Sequence, residues 1–207
     1  MINIEFFKQL MPWIINLGYF VAVVPQVVLN FKRKSTKGLS ELYLLGYFNG
    51  YLATLLYVYN CRLPLPYLIF VPITFFTVSV LLLQHFFYDK DSYDFRALRF
   101  YVLDFILVMG FIPFAMFFPK IAGEISGWVA MLIWSVYFIP QIVRIYLKKS
   151  VEGFSFLLVS LIGVGNLIEL VVALTSGFPL QTHLIALRGI IFYIIFCVQF
   201  WLYGKKR

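Results

Sequence analysis

Val-Pro-Gln-Val-Val-Leu-Asn-Phe-Lys-Arg-Lys-Ser-Thr-Lys-Gly-Leu-Ser, residues Val24–Ser40, returns 115 positions later as Ile-Pro-Gln-Ile-Val-Arg-Ile-Tyr-Leu-Lys-Lys-Ser-Val-Glu-Gly-Phe-Ser, residues Ile139–Ser155. Pro25/Pro140, Gln26/Gln141, Lys34/Lys149, Ser35/Ser150, Gly38/Gly153 and Ser40/Ser155 keep that offset, as do Trp13/Trp128, Gly50/Gly165 and Leu52/Leu167 outside the core of the pattern. Each copy sets a proline inside an apolar stretch and follows it with a basic turn. Duplication of such a unit predicts a machine built from two matching halves.

Composition says what surrounds those halves. The chain is 62% apolar, 20% aromatic and 13% charged. Soluble domains are nearer half apolar and a quarter charged, so this surface does not suit water and a polytopic membrane protein is expected. A net charge of +8 would point to nucleic acid in a soluble chain. Here the charge is a topology signal and no nucleic-acid partner is expected. The two cysteines, Cys61 and Cys197, fall towards opposite membrane faces and are read as free thiols. The segment 1–8 has no basic cluster, and the first apolar span carries half of the repeat, so it is expected in the mature fold rather than as a cleaved signal.

About 20 apolar residues cross a bilayer as a helix. Seven stretches qualify: 13–31, 39–59, 67–88, 100–118, 125–147, 154–175 and 183–203. Turn chemistry joins them at Cys61–Pro66, Pro119-Lys120 and Ser176-Gly177-Phe178-Pro179, and Asp89–Arg99 is the one polar connection of any length. The two motif turns, that linker and the C-terminal tail share one face. Apart from Arg188 within a span, the other face holds only Lys8, Arg62 and Lys120 among the Lys and Arg residues. The positive-inside rule then predicts an outside N-terminus and a cytoplasmic C-terminus. The motifs lie on spans 1 and 5, so the halves run parallel, related by an axis along the membrane normal. The expected organisation is an all-α membrane protein with a 3+1+3 plan: a triple-helix bundle over residues 1–88, a linker with an inverting helix over 89–120, and a second bundle over 121–207. A bacterial inner membrane is the expected location.

Within the motifs, Pro25 and Pro140 each remove a backbone hydrogen bond and crowd the carbonyl four residues back, at Val21 and Val136. In lipid a freed carbonyl needs a partner, and Gln26 and Gln141 are expected to supply it. The recurring Pro-Gln pair reads as two hinges. Gly38 and Gly153 suit a positive φ, and Ser40 and Ser155 suit the N-cap position of the following helices.

These features are similar to the PQ-loop repeat family, which includes SWEET sugar facilitators, lysosomal cystine and basic amino-acid exporters, and relatives of the KDEL retention receptor. The resemblance covers nearly the whole chain. It implies two three-helix bundles around a central solute pathway, opened alternately by hinging at the two prolines. The turn wording Lys-Ser-x-x-Gly-x-Ser is more similar to the amino-acid exporter branch. The resemblance also implies helix-buried aspartates for proton coupling in that branch, whereas spans 2 and 6 contain no Asp here, leaving Glu169 as the candidate proton carrier.

Ionisable groups inside spans mark function by default. Asn166 and Glu169 lie three apart on one face of span 6, and Arg188 lies at a similar depth in span 7, so a Glu169–Arg188 ion pair is expected. Asn166, Glu169, Asn49, Tyr51 and Trp134 are the candidate solute-binding residues, with Tyr57 as a further lining residue. Asp104 is expected to pair with Arg99 or Arg96, Gln84 and His85 to sit at the interface, and Gly46/Gly50 to form a close-packing face. No metal motif, phosphate loop or Ser/His constellation is present, so neither enzyme nor cofactor is expected. The expected function is transport of a small polar solute, amino acids favoured. A SWEET-like sugar facilitator and a KDEL-receptor-like sorting protein stay as alternatives. Proton coupling and assembly into a homo-oligomer are left open.

Overall fold

The computed structural model describes residues 4–88, 95–176 and 180–204. Most of the polar linker, the turn at 177–179 and the tail at 205–207 therefore lie outside the described residues, as do the side chains of Lys8 and Arg96. Apart from the connecting turns, the described residues are helical: α1 (Ile4–Arg33), α2 (Glu41–Asn60), α3 (Leu65–Tyr88), α4 (Phe95–Phe117), α5 (Pro119–Val136), α6 (Ile139–Lys148), α7 (Phe156–Ser176) and α8 (Leu180–Tyr203). Together α5 and α6 form one crossing, so the eight helices make seven spans. Among the described residues, five stretches are long and apolar enough to cross a membrane on composition alone. The Tyr-, Gly- and Asn-bearing α2 is not one of them. It packs along both α5 and α3, and that protein surround accommodates its polar groups.

In each half the last helix packs against the earlier ones, though not equally. α3 packs against both α1 and α2, and α8 packs mainly against α7 while touching α5 and α6. The halves meet crosswise: α1 packs on α7, and α2 packs on α5. Each motif-bearing span therefore faces the second helix of the other half. α4 lies outside, against α5 and α2.

The two prolines act differently. α1 runs unbroken through Pro25, whereas the fifth span ends one helix at Val136 and starts the next at Ile139. Helical bonding resumes on each side of the break, from Tyr137 N to Ile133 O (2.9 Å) and from Ile142 N to Phe138 O (3.0 Å). The interruption falls where the Pro140 ring deprives the Val136 carbonyl of its donor.

The motif turns share much of their local geometry. Lys34 and Lys149 both take the left-handed conformation, at φ 50° and 49°. Ser35 Oγ accepts from Lys37 N (3.0 Å), and Ser150 Oγ accepts from Glu152 N (3.2 Å). Lys34 Nζ lies 3.6 Å over the Phe31 ring and faces Tyr88; Lys149 Nζ lies 3.6 Å over Tyr146 and faces Tyr203. These aromatic partners obey the same 115-residue offset. Ser155 caps α7 by accepting from Leu158 N (3.2 Å), while the Ser40 side chain makes no capping bond to α2.

The turns then meet face to face. Gly38 (φ 116°) and Gly153 (φ 83°) need the left-handed region, and a Cβ on either would collide with backbone of the other turn, at Glu152 O and Lys37 O respectively. Only glycine permits both the dihedral and the approach. Gly153→Ala should therefore lower stability by about 2 kcal/mol. The matched control is Gly18→Ala in α1, whose Cβ meets open space and which should be neutral or slightly stabilising. Thermal melts in detergent check both, and equal melting of the two variants would refute the close approach.

Candidate functional site

A column of aromatic rings divides the molecule across the membrane. Tyr43, Tyr47 and Tyr51 recur every fourth residue of α2 and share one face. Tyr43 stacks on Tyr47 (5.5 Å), Tyr137 (6.0 Å) and Phe138 (5.7 Å), and meets Phe154 edge-on at 5.8 Å. Phe138 and Phe154 in turn pack on Phe196, both at 5.1 Å. Tyr43 and Phe196 are completely buried. This plug lies on the side of the molecule nearer the motif turns.

Below the plug, at the motif face, the two glutamines close the structure. Gln26 Nε2 donates to Gly153 O (2.9 Å) and its Oε1 accepts from Ser155 N (2.6 Å). Gln141 Nε2 donates to Gly38 O (2.9 Å) and its Oε1 accepts from Ser40 N (2.7 Å). Each glutamine grips the turn of the opposite half, and both are fully buried. This corrects the expectation that they satisfy Val21 and Val136. The turn amides beside the starts of α2 and α7 lack helical partners, and a primary amide matches a backbone N–H and C=O together.

A second tier of buried amides braces the first. Gln26 also donates to Asn30 Oδ1 (2.8 Å), and Asn30 donates to Gln84 Oε1 (3.1 Å). Gln84 donates to Val27 O (3.1 Å), as its repeat equivalent Gln199 donates to Ile142 O (2.8 Å). His85 Nδ1 lies 2.7 Å from Thr36 Oγ1. Gln84 and His85 are thus buried within the protein beside the first motif turn.

Above the plug lies a cavity of about 200 Å³. It contains Tyr51, Trp134, Asn166, Glu169 and Arg188 among the residues expected from sequence, together with Asn16, Tyr19, Thr54 and Tyr67, which sequence reasoning missed. Two hydrogen bonds cross between the halves here. Tyr19 Oη donates to Glu169 Oε2 (2.6 Å), and Trp134 Nε1 donates to Thr54 Oγ1 (3.1 Å). Tyr19/Trp134 and Thr54/Glu169 are again 115 apart. Their rings lie over Gly165 and Gly50, the repeat-related glycines, and a Cβ at Gly50 would press into Trp134 at 2.9 Å. Gly46 likewise meets Tyr137, so the Gly46/Gly50 face does pack closely.

The Glu169–Arg188 contact ion pair does not form. The Glu169 carboxylate takes the Tyr19 hydroxyl instead, because α7 packs on α1 and brings the two side chains together. Arg188 lines the same cavity, with Nε and Nη1 buried and without a hydrogen-bond partner, its guanidinium 6.0 Å above the Phe192 ring. Asn166 is tied to its own helix through Ile162 O (2.7 Å) and abuts Gly189.

Asn49 also departs from expectation. It faces away from the cavity, into a groove under α4, where it donates to Asp104 Oδ1 (2.6 Å). Residues two apart on a helix point to opposite sides, so Asn49 could not join Tyr47 and Tyr51. The same bond supplies Asp104 with a partner other than the arginines expected. Tyr57 packs over Gly127 and is not among the cavity residues. Cys61 and Cys197 are free thiols.

A family model described as the PQ loop repeat matches the sequence twice, over residues 8–67 and 122–182. A solved structure described as the 3.7 Å resolution structure of a eukaryotic SWEET transporter aligns with a TM-score of 0.56 at 17% identity, covering 93% of this chain and 100% of that one. At that identity the likeness is one of fold. No curated protein matches the sequence.

The two cross-bundle bonds should differ in strength, since one acceptor is a carboxylate and the other a hydroxyl. Tyr19→Phe should cost about 2 kcal/mol and Thr54→Val about 1 kcal/mol. Melting of the purified variants gives the order, and a Tyr19→Phe protein as stable as wild type would contradict the assignment.

Proposed function

The chain belongs to the PQ-loop repeat family, a family of membrane transporters rather than enzymes, and on that premise we propose that it carries a small zwitterionic solute, an amino acid, by alternating access. One observation carries the choice of solute. Glu169 and Arg188 share a single cavity without forming a contact ion pair, and Arg188 has buried donors to spare. An α-carboxylate suits Arg188, and an α-ammonium suits Glu169. The aromatic walls of Tyr47, Tyr51, Trp134 and Tyr137 would hold the remaining side chain or the cation. A volume of about 200 Å³ is below the ~300–1,000 Å³ typical of drug-sized ligands and favours a single small metabolite over a peptide.

In this reading the moving bodies are the bundles of residues 1–88 and 121–207, linked by 89–120. Pro25 and Pro140 are the hinges, and Gln26 and Gln141 hold the gate between them. The conformation described is closed at the motif face, with the solute cavity beyond the plug. The basic motif turns favour placing that face in the cytoplasm. The aromatic lining gives a sugar some claim as an alternative solute, since ring faces suit sugar C–H groups, but a neutral sugar offers no ionic partner to Glu169 or Arg188.

Counterflow in proteoliposomes tests the proposal. Amino acids should exchange, while analogues blocked at the amino or carboxyl group should compete at least about tenfold more weakly, a difference near 1.4 kcal/mol. Pro25→Ala and Pro140→Ala should each slow exchange while retaining solute binding. Monosaccharide exchange that no amino acid competes with would refute the amino-acid reading. Separately, Glu169→Gln should abolish any pH dependence of flux if Glu169 carries the proton.

A further inference from the structure

The glutamine grip brings two basic turns together, and their meeting lines a further, open pocket of about 260 Å³ at the motif face. Arg33 and Lys37 come from the first half, Arg144 and Lys148 from the second, and Glu152 is the one carboxylate among the described lining residues. Ser35 and Ser150 add a hydroxyl from each side. Arg33 and Lys148 are repeat equivalents, so the cations approach the pseudo-two-fold axis from both halves. Glu152 holds Arg33 at 2.7 Å, but its side chain is 79% exposed, and an exposed ion pair is weak. Cations that reach one pocket from both halves suit a ligand of opposite charge able to touch both turns.

We propose that this pocket binds a multiply charged phosphate group, which bridges the two turns and holds the gate closed. Guanidinium groups present paired donors matched to phosphate oxygens, and the lysines add point charge. Glu152 is displaced from Arg33 when the phosphate enters. Because the cations come from both halves, the pocket exists only while the turns are together, so the ligand favours the closed state by its differential affinity. Two sources offer this chemistry, a soluble oligophosphate and a phosphomonoester lipid headgroup at the adjoining membrane surface. The inference goes beyond the transport reading and draws on its gating part alone.

The test uses full-length protein in nanodiscs, with Cys61 and Cys197 replaced by serine and spin labels on cysteines at positions 32 and 147. Both positions are exposed and repeat-related. Pulsed electron resonance reads the distance between the turns, and titration calorimetry reads binding without requiring the gate to move. Inorganic pyrophosphate added to phosphatidylcholine discs should bind and deplete the long-distance population if the source is soluble. Phosphatidic acid replacing part of the phosphatidylcholine should do so if the source is lipid. Either response supports the site, and in both cases the double variant Arg144→Gln/Lys148→Gln should raise the half-maximal concentration about tenfold or more. The proposal is overturned if neither probe binds, or if the response is unchanged in a double variant whose melting confirms that it folds. A Gln26→Leu protein lacking any long-distance population would contradict the gating reading instead, leaving the site to be judged by calorimetry.

Discussion

The reciprocal grip of Gln26 on the second motif turn and of Gln141 on the first is the interaction on which the rest of the structure depends. Each side chain meets a backbone carbonyl and a backbone N–H with one primary amide, as a neighbouring strand would. Those backbone groups belong to turns that start the next helix, so without the glutamines they would be left unpaired near the membrane face. Four such bonds, each worth about 1 kcal/mol net, bias the closed state by on the order of 4 kcal/mol. That is large enough to set a resting conformation and small enough for a solute to overcome.

Everything around the grip serves its geometry. Gly38 and Gly153 let the turns touch, the Asn30–Gln84 network fixes Gln26, and the Tyr43–Phe138–Phe154 plug seals the path above. The cavity then repeats the logic of exchange. An aromatic donor from each motif helix crosses to the opposite half over a glycine that makes room for its ring. Symmetry supplies the mechanics, and departures from it supply the chemistry. Thr54 in one half is Glu169 in the other, Tyr51 is Asn166, and Ile73 is Arg188. The gate is unequal too: Asn30 is replaced by Ile145, so Gln199 Oε1 is buried without the donor that its counterpart Gln84 receives. The second half also breaks its helix at Pro140, where the first does not.

The seven spans, their parallel halves and the central role of the Pro-Gln pairs were legible because apolar length and a fixed repeat offset are properties of sequence. The identity of side-chain partners was less so. The offset alone could have found Tyr19, Thr54 and Gln199, since each is the repeat partner of a residue already singled out in span 5, 6 or 3. Helical periodicity could have removed Asn49, which lies on the opposite side of α2 from Tyr47 and Tyr51. Depth in the membrane could not reveal that Glu169 bonds Tyr19 and not Arg188, because this depends on α1 packing against α7, a contact between helices more than a hundred residues apart. Nor could it show that each glutamine serves the opposite half, since the local reading pairs a polar side chain with the nearest freed carbonyl.

The central claim is that both glutamines form one lock, and amide hydrogen exchange at Ser40 and Ser155 reads it directly, because these two N–H groups donate to Gln141 and Gln26. In the wild-type protein both amides should be protected to a similar degree. Gln26→Leu should accelerate exchange at Ser155, which loses its acceptor, and also at Ser40, whose own acceptor is untouched, because the two turns separate together. Ser40 protection unchanged in that variant would contradict a single reciprocal lock.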